Sequence, residues 1–165
     1  MIVERYRTAI SRTSLSSPMK VLDKKGLLSG RYTVLDYGCG IGDDVYTLSK
    51  RGVDIIGYDP HFYPDIEKRT SDIVNLGFVL NVIESVQERM SVLVDAFSLS
   101  SKLLVVSCRI EDTNSSKFEK YGDGVITKRH TFQKYFNNDE LRLFLETTLQ
   151  KRALKVGNGI FFIHK

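Results

Sequence analysis

Three glycines on alternate positions, Gly38, Gly40 and Gly42, close the β-rich run TVLDYGCGIG over residues 33–42. They constrain the fold more than any other part of the chain. Glycine accepts φ > 0 and lets a ligand lie directly against the main chain. Thr33, Val34 and Leu35 lead into Asp36, and residues 43–50 read as a helix closed by Gly52. The loop therefore joins a strand to a helix N-terminus, the geometry of the first βα turn in a nucleotide-binding α/β sheet.

A glycine pattern alone is common as a plain turn, and neighbouring residues raise its weight. Asp36 stands two residues before the first glycine, where a carboxylate can face a positively charged or hydrogen-bond-donating ligand end. Cys39 completes the string D-x-G-C-G-x-G. The run VDIIGYD over 53–59 reads as a second strand ending in Asp59. A carboxylate about 20 residues beyond the loop can accept hydrogen bonds from both ribose hydroxyls of an adenosine. A dinucleotide enzyme expects Gly-x-Gly-x-x-Gly, with the third glycine one place later. Together these residues resemble motif I and the acidic loop of class I S-adenosylmethionine-dependent methyltransferases.

Along the chain, residues 1–30 are basic and rich in hydroxyls, with a weak helix over 19–28 and Gly30 as a break. Strands are expected over 32–36, 54–58, 72–78 and 102–108, and helices over 43–50 and 85–100. The apolar run KLLVVSC over 102–108 suits a parallel strand covered on both faces. Residues 111–128 read as polar and irregular, and 131–149 as a helix, with Asn137-Asn138 as a place where a cap restarts it. Residues 153–156 and 160–164 read as an antiparallel hairpin turned by Gly157-Asn158-Gly159. The expectation is an α/β, Rossmann-like single domain over 1–165: a mostly parallel sheet of about six strands with that C-terminal hairpin. Too little chain separates the second strand from DIVNLGF to hold the usual helix–strand–helix unit, so the sheet is expected to be trimmed there. The basic N-terminal segment is the candidate to cover the exposed edge or the site.

Hydrophobic residues at 42% and charged residues at 27% are ordinary globular values, and no apolar run reaches the length of a membrane span. The charged N-terminus does not read as a secretory signal. Cys39 and Cys108 have no metal-site spacing, which suits free thiols, a cytoplasmic location and no metal. A net charge of +4 permits a nucleic-acid partner without requiring one. The oligomeric state is not readable.

Two further stretches can carry chemistry. Asn75-Leu76-Gly77-Phe78 ends the DIVNLGF strand, on the side of an open α/β sheet that faces the ligand crevice. Phe78 can pack beside an adenine or a substrate, and Asn75 or Asn81 can hydrogen-bond. Asn75-x-x-Phe78 shares only its ends with the Asn-Pro-Pro-Phe/Tyr signature of amino-methyltransferases. The polar span after 102–108 interleaves Lys128, Arg129 and His130 with Tyr121 and Phe132, a pattern able to meet phosphates and stack on bases. Its length for so compact a domain favours a functional role.

The strings RTAISR, VLDYGCGIGDD, GYDP, DIVNLGFVLNVIE, YGDGVITKRHTFQKYF and GIFFIHK make almost the whole chain similar to the DNA phosphorothioation-associated methyltransferases, bacterial proteins encoded beside DNA-modification systems. The resemblance implies an S-adenosylmethionine cofactor. Its contacts would be Asp36, Gly38, Cys39, Gly40, Gly42, Asp43, Asp59 and Pro60, with Asn75, Leu76 and Gly77 at the neighbouring strand end. Asp43 and Asp44 also fit as caps of the first helix. The substrate side would be Phe78, Asn81, Lys128, Arg129 and Phe132, with His130, Asp123 and Tyr121 as candidates to orient or deprotonate the acceptor. DNA or another nucleic acid is the acceptor this implies. A non-catalytic cofactor-binding module and a small-molecule methyltransferase remain open beside it.

Overall fold

The computed structural model describes residues 3–111 and 115–165. Its elements follow the chain as α1 (Ser17–Lys24), β1 (Val34–Tyr37), α2 (Asp43–Lys50), β2 (Ile55–Tyr58), β3 (Ser71–Gly77), α3 (Val86–Leu99) and β4 (Ser100–Ser107). Three short strands follow, β5 (Glu119–Tyr121), β6 (Gly124–Ile126) and β7 (Phe132–Gln133), then α4 (Asn138–Leu149), β8 (Leu154–Gly157) and β9 (Ile160–His164).

Six strands form the main sheet in the order β2-β1-β3-β4-β9-β8. The first four are parallel, and β9 runs antiparallel between β4 and β8. Side chains alternate across this sheet, and both faces are buried, which is why the strands read as unbroken apolar runs. Leu35, Val74, Leu76, Leu104 and Val106 face α3 and α4 through Leu93, Ala96, Leu141 and Leu145. Val34, Ile73, Leu103 and Val105 face Met19 and Leu22 of α1 and Leu48 of α2. The chain leaves β1 for β2 on one side and returns for β3 on the other. That reversal opens a crevice at the carboxyl ends of β1 and β3.

Between β2 and β3 the chain carries no helix, so the sheet is trimmed at that edge as expected. The N-terminal segment lies against a sheet face and over the site end, with α1 on that face and residues 5–16 over the carboxyl ends of the strands. Residues 111–128 are not wholly irregular: β5, β6 and β7 form a small antiparallel sheet turned by Gly122-Asp123, although 112–114 lie outside the described residues. The helix expected from 131 begins instead at Asn138, where the Asn137 side chain accepts from the Glu140 N–H at 2.7 Å. Among the described residues no helix is long and apolar enough to cross a membrane.

Candidate functional site

The parallel register sets Asp36 of β1 directly beside Asn75 of β3. The Asn75 amide donates to the Asp36 carboxylate at 2.9 Å, and both side chains are buried. Burial pushes the Asp36 carboxyl up to about 7; the bond from Asn75 and the Arg12 charge oppose that rise, while Asp44 and Asp59 add to it. The other end of the Asn75 amide, Oδ1, is buried with no hydrogen-bond partner. A buried acidic floor with an unmet carbonyl beside it favours a cationic or N–H-bearing ligand end.

Above this floor runs the glycine loop, with Gly38, Gly40 and Gly42 all at positive φ. The Gly38 and Cys39 N–H groups donate to the Tyr58 carbonyl, which locks the loop onto the end of β2. A Cβ on Gly38 would run into Val79, and one on Gly57 would sit 2.7 Å from the Cys39 sulfur. Glycine is thus required at both positions by the side chains packed against them. Asp59 ends β2 and accepts the Gly40 N–H at 3.0 Å through one oxygen, and the His61 and Phe62 N–H groups through the other. A carboxylate has about four acceptor sites, so capacity for hydroxyl donors remains.

These groups line a cavity of about 360 Å³, within the range of small-molecule sites. Its roof is the N-terminal segment. Arg5 reaches across to α3, meeting Glu88 with two bonds of 2.6 and 2.7 Å and Glu84 with one of 3.0 Å. Arg5 in turn holds the Glu88 carboxyl below its ordinary range. Tyr6 stacks on His61 at 4.3 Å, and Ala9 lies over Gly40. Asp43 and Asp44 do not cap α2. Asp43 accepts the Arg12 N–H at 2.6 Å, and Asp44 takes both the N–H and the hydroxyl of Ser16. The two acids at the positive end of α2 tie down the roof.

A second cavity of about 530 Å³ adjoins the first across Phe78, Val82 and Arg12. Phe78 takes φ +58°, a strained conformation for an aromatic residue. Asn81 and Gln133 line this second cavity, and Asn81 Oδ1 is another buried carbonyl without a partner.

Asp36, Gly38, Cys39, Gly40, Asp59, Pro60, Asn75, Gly77 and Phe78 therefore meet at one cavity. Other candidates lie elsewhere. Leu76 faces the core with α3 and α4, because alternation on β3 turns it away from its neighbours' crevice. Gly42 precedes α2 against the Tyr63 ring. Phe132 is buried in the small sheet, between the Arg89 guanidinium and Tyr121. Asp123 is bound through both oxygens to the buried Arg89, at 2.6 and 2.8 Å, which leaves it structural. Tyr121 is exposed on β5, and His130 sits exposed in a turn at φ +58°. None of these three lines either cavity. Lys128 and Arg129 line a separate groove. Sequence reasoning missed Arg5, Tyr6, Arg12 and Ser16; the basic, hydroxyl-rich composition of 5–17 was their only signal. Among the described residues no three His, Cys, Asp or Glu side chains gather to hold a metal.

Strand order, crevice and glycine loop together define the Rossmann-like fold of class I methyltransferases, shortened by one edge unit. Solved structures agree. The chain is similar to magnesium protoporphyrin IX methyltransferase from Synechocystis PCC 6803 with bound S-adenosylhomocysteine, at TM-score 0.61, 14% identity, and 98% and 93% of the two chains covered. It is similar to an amino pentose methyltransferase from Micromonospora echinaspora with bound S-adenosylmethionine, at TM-score 0.61, 14% identity and 89% of each chain. A third is 1,6-didemethyltoxoflavin-N1-methyltransferase from Burkholderia thailandensis, at TM-score 0.58, 14% identity, and 95% and 94% covered. No protein-family model matches the sequence, and no curated protein matches it by sequence.

Proposed function

We propose that the protein is an S-adenosylmethionine-dependent methyltransferase. The observation that carries this reading is the buried Asp36–Asn75 pair beneath a glycine loop held at positive φ, at the switch point of the sheet. In this reading Asp36 and Asn75 Oδ1 receive the ammonium end of the cofactor, the loop backbone lies along its length, and Asp59 receives the ribose hydroxyls. The cofactor supplies an electrophilic methyl group on sulfur. The protein's part is placement: Phe78 and Arg12, shared by the two cavities, border the point where an acceptor would meet that methyl. An acceptor already nucleophilic needs no dedicated base there.

The acceptor in this proposal is DNA or another nucleic acid, in the bacterial DNA-modification setting that the family resemblance implies. A small-molecule acceptor is the second reading, favoured by the porphyrin, toxoflavin-type and amino-sugar substrates named for the similar structures. Isothermal titration with S-adenosylhomocysteine tests the shared premise. Binding is expected, and Asp36→Ala or Asp59→Ala is expected to weaken it by about 1.5–3 kcal/mol, roughly 10- to 150-fold. Absence of heat at millimolar ligand would refute the premise. Transfer of radiolabel from S-adenosylmethionine to DNA, RNA or metabolite pools then separates an enzyme from a cofactor-binding module.

A further inference from the structure

A groove of about 570 Å³ opens beyond the second cavity, walled by the N-terminal segment, Arg109 beyond β4, Lys117-Phe118 and the 127–131 turn. Five cationic residues line it: Arg7, Arg109, Lys117, Lys128 and Arg129. Among the described residues no acidic side chain does. The whole chain carries 20 Asp and Glu against 24 Lys and Arg, so this wall departs from what its mixed surface would present. Arg7 is already paired with Glu4 at 3.0 Å, and Arg109, Lys128 and Arg129 are exposed cations on the remaining wall. Tyr135 and Phe118 add rings, and the bonded hydroxyls of Thr127 and Thr131 add polar contacts. Cations with interleaved rings on a concave surface recognise phosphate joined to a planar base.

The groove is continuous with the site. Arg109 and Gln133 line both the groove and the second cavity, and Thr8 and Ile10 line these and the cofactor cavity. A molecule anchored by an anion in the groove therefore reaches the second cavity with its other end. That end meets Asn81 Oδ1, a buried carbonyl with nothing to accept from, beside the Gln133 amide and the Phe78 ring. A planar head carrying an N–H satisfies the orphan carbonyl and stacks on the ring.

We infer that this groove is a phosphate-anchoring subsite and that the acceptor is a phosphate-bearing nucleotide unit, free or within a nucleic-acid strand. The inference rests on the methyl-transfer reading for its functional meaning, and the binding it predicts is measurable without turnover. The probes are a fluorescein-labelled single-stranded oligonucleotide, followed by anisotropy across salt, and unlabelled mononucleotides as competitors, all with the full chain. Charge reversal at Lys128→Glu with Arg129→Glu is expected to weaken oligonucleotide binding at least tenfold, and Arg109→Glu likewise. The same reversal at Lys151→Glu with Arg152→Glu, outside the groove, should change it less than twofold.

With three groove cations engaged, the slope of log K against log salt should be about −2, falling to about −0.7 in the Lys128/Arg129 variant. Competition by mononucleotides at comparable site concentration assigns a free nucleotide; competition by the strand alone assigns nucleic acid. Equal weakening by the groove and control reversals would overturn the inference, as would no binding of either probe at 50 mM salt. S-adenosylhomocysteine titration of the same variants keeps the two readings apart. Lost oligonucleotide binding with retained cofactor binding supports the groove, whereas cofactor that never binds any form refutes only the methyl-transfer reading.

Discussion

Asp36 is a buried carboxylate whose one hydrogen-bond partner is a neutral amide. Its pKa of about 7 lies above the ordinary value near 3.9. A raised folded-state value means that its contribution to stability is fully present below about pH 4 and is lost as pH rises through 7. The free protein should therefore weaken from about pH 4 to about pH 7 and level off above it, and Asp36→Asn should weaken much less over that window. A cationic ligand reverses the preference by favouring the carboxylate. Binding of S-adenosylhomocysteine should accordingly release protons at pH 6.5, seen as a buffer-dependent heat, and tighten as pH rises to 8. Asp36→Asn should lose both effects. A variant that is more stable but binds less would show that this acid is kept for its ligand at a cost to the fold.

The glycine loop and β2 act as one unit because Gly57 lets Cys39 and Val45 pack against its backbone. Gly57→Ala places a Cβ 2.7 Å from the Cys39 sulfur and 2.8 Å from Val45. The loop must shift, at an expected cost of about 1–3 kcal/mol by chemical denaturation, with a matching loss of cofactor affinity. Such local units were legible in the sequence. β1, β2 and β3 are apolar runs that end at glycine or acid, β4 carries an unbroken apolar run, and a glycine turn marks the β8–β9 hairpin, so pattern and position agree. The small sheet was not legible. β5 is three exposed residues and β7 only two, too short for any period to register. Phe132 and Phe136 are spaced like one helical turn, yet they enter different environments, the small sheet and the main core. The three catalytic candidates lie outside both cavities, and that too was not legible. Asp123 looked free in a polar span, and only tertiary packing brings it to Arg89, 34 residues away. The contacts that fasten the roof were hidden likewise, since Arg5 meets its acids 79 and 83 residues along the chain.

Across the molecule, the sheet keeps its switch point while losing an edge unit, which leaves β2 at the border of the main sheet. The site draws on β1, β2, β3 and the N-terminal segment together, so a bound ligand joins that segment to three hydrogen-bonded strands. Ligand at 100 times its Kd should stabilise the fold by about 2.7 kcal/mol. For a chain of 165 residues that corresponds to a rise in Tm of about 5–10 °C. A thermal scan with S-adenosylhomocysteine checks it, and a flat response at saturation would contradict a site shared between elements.

The Arg5 clasp bears on time as well as on affinity. Two charge-assisted bonds hold the roof to Glu88 of α3 and a third to Glu84 just before it, and the roof lies over the glycine loop. For a ligand that passes beneath the roof, release and entry alike wait on those bonds parting. The clasp therefore sets a residence clock. Loosening it would hasten arrival and departure together, and exchange of spent for fresh ligand would become a matter of how often one arginine lets go.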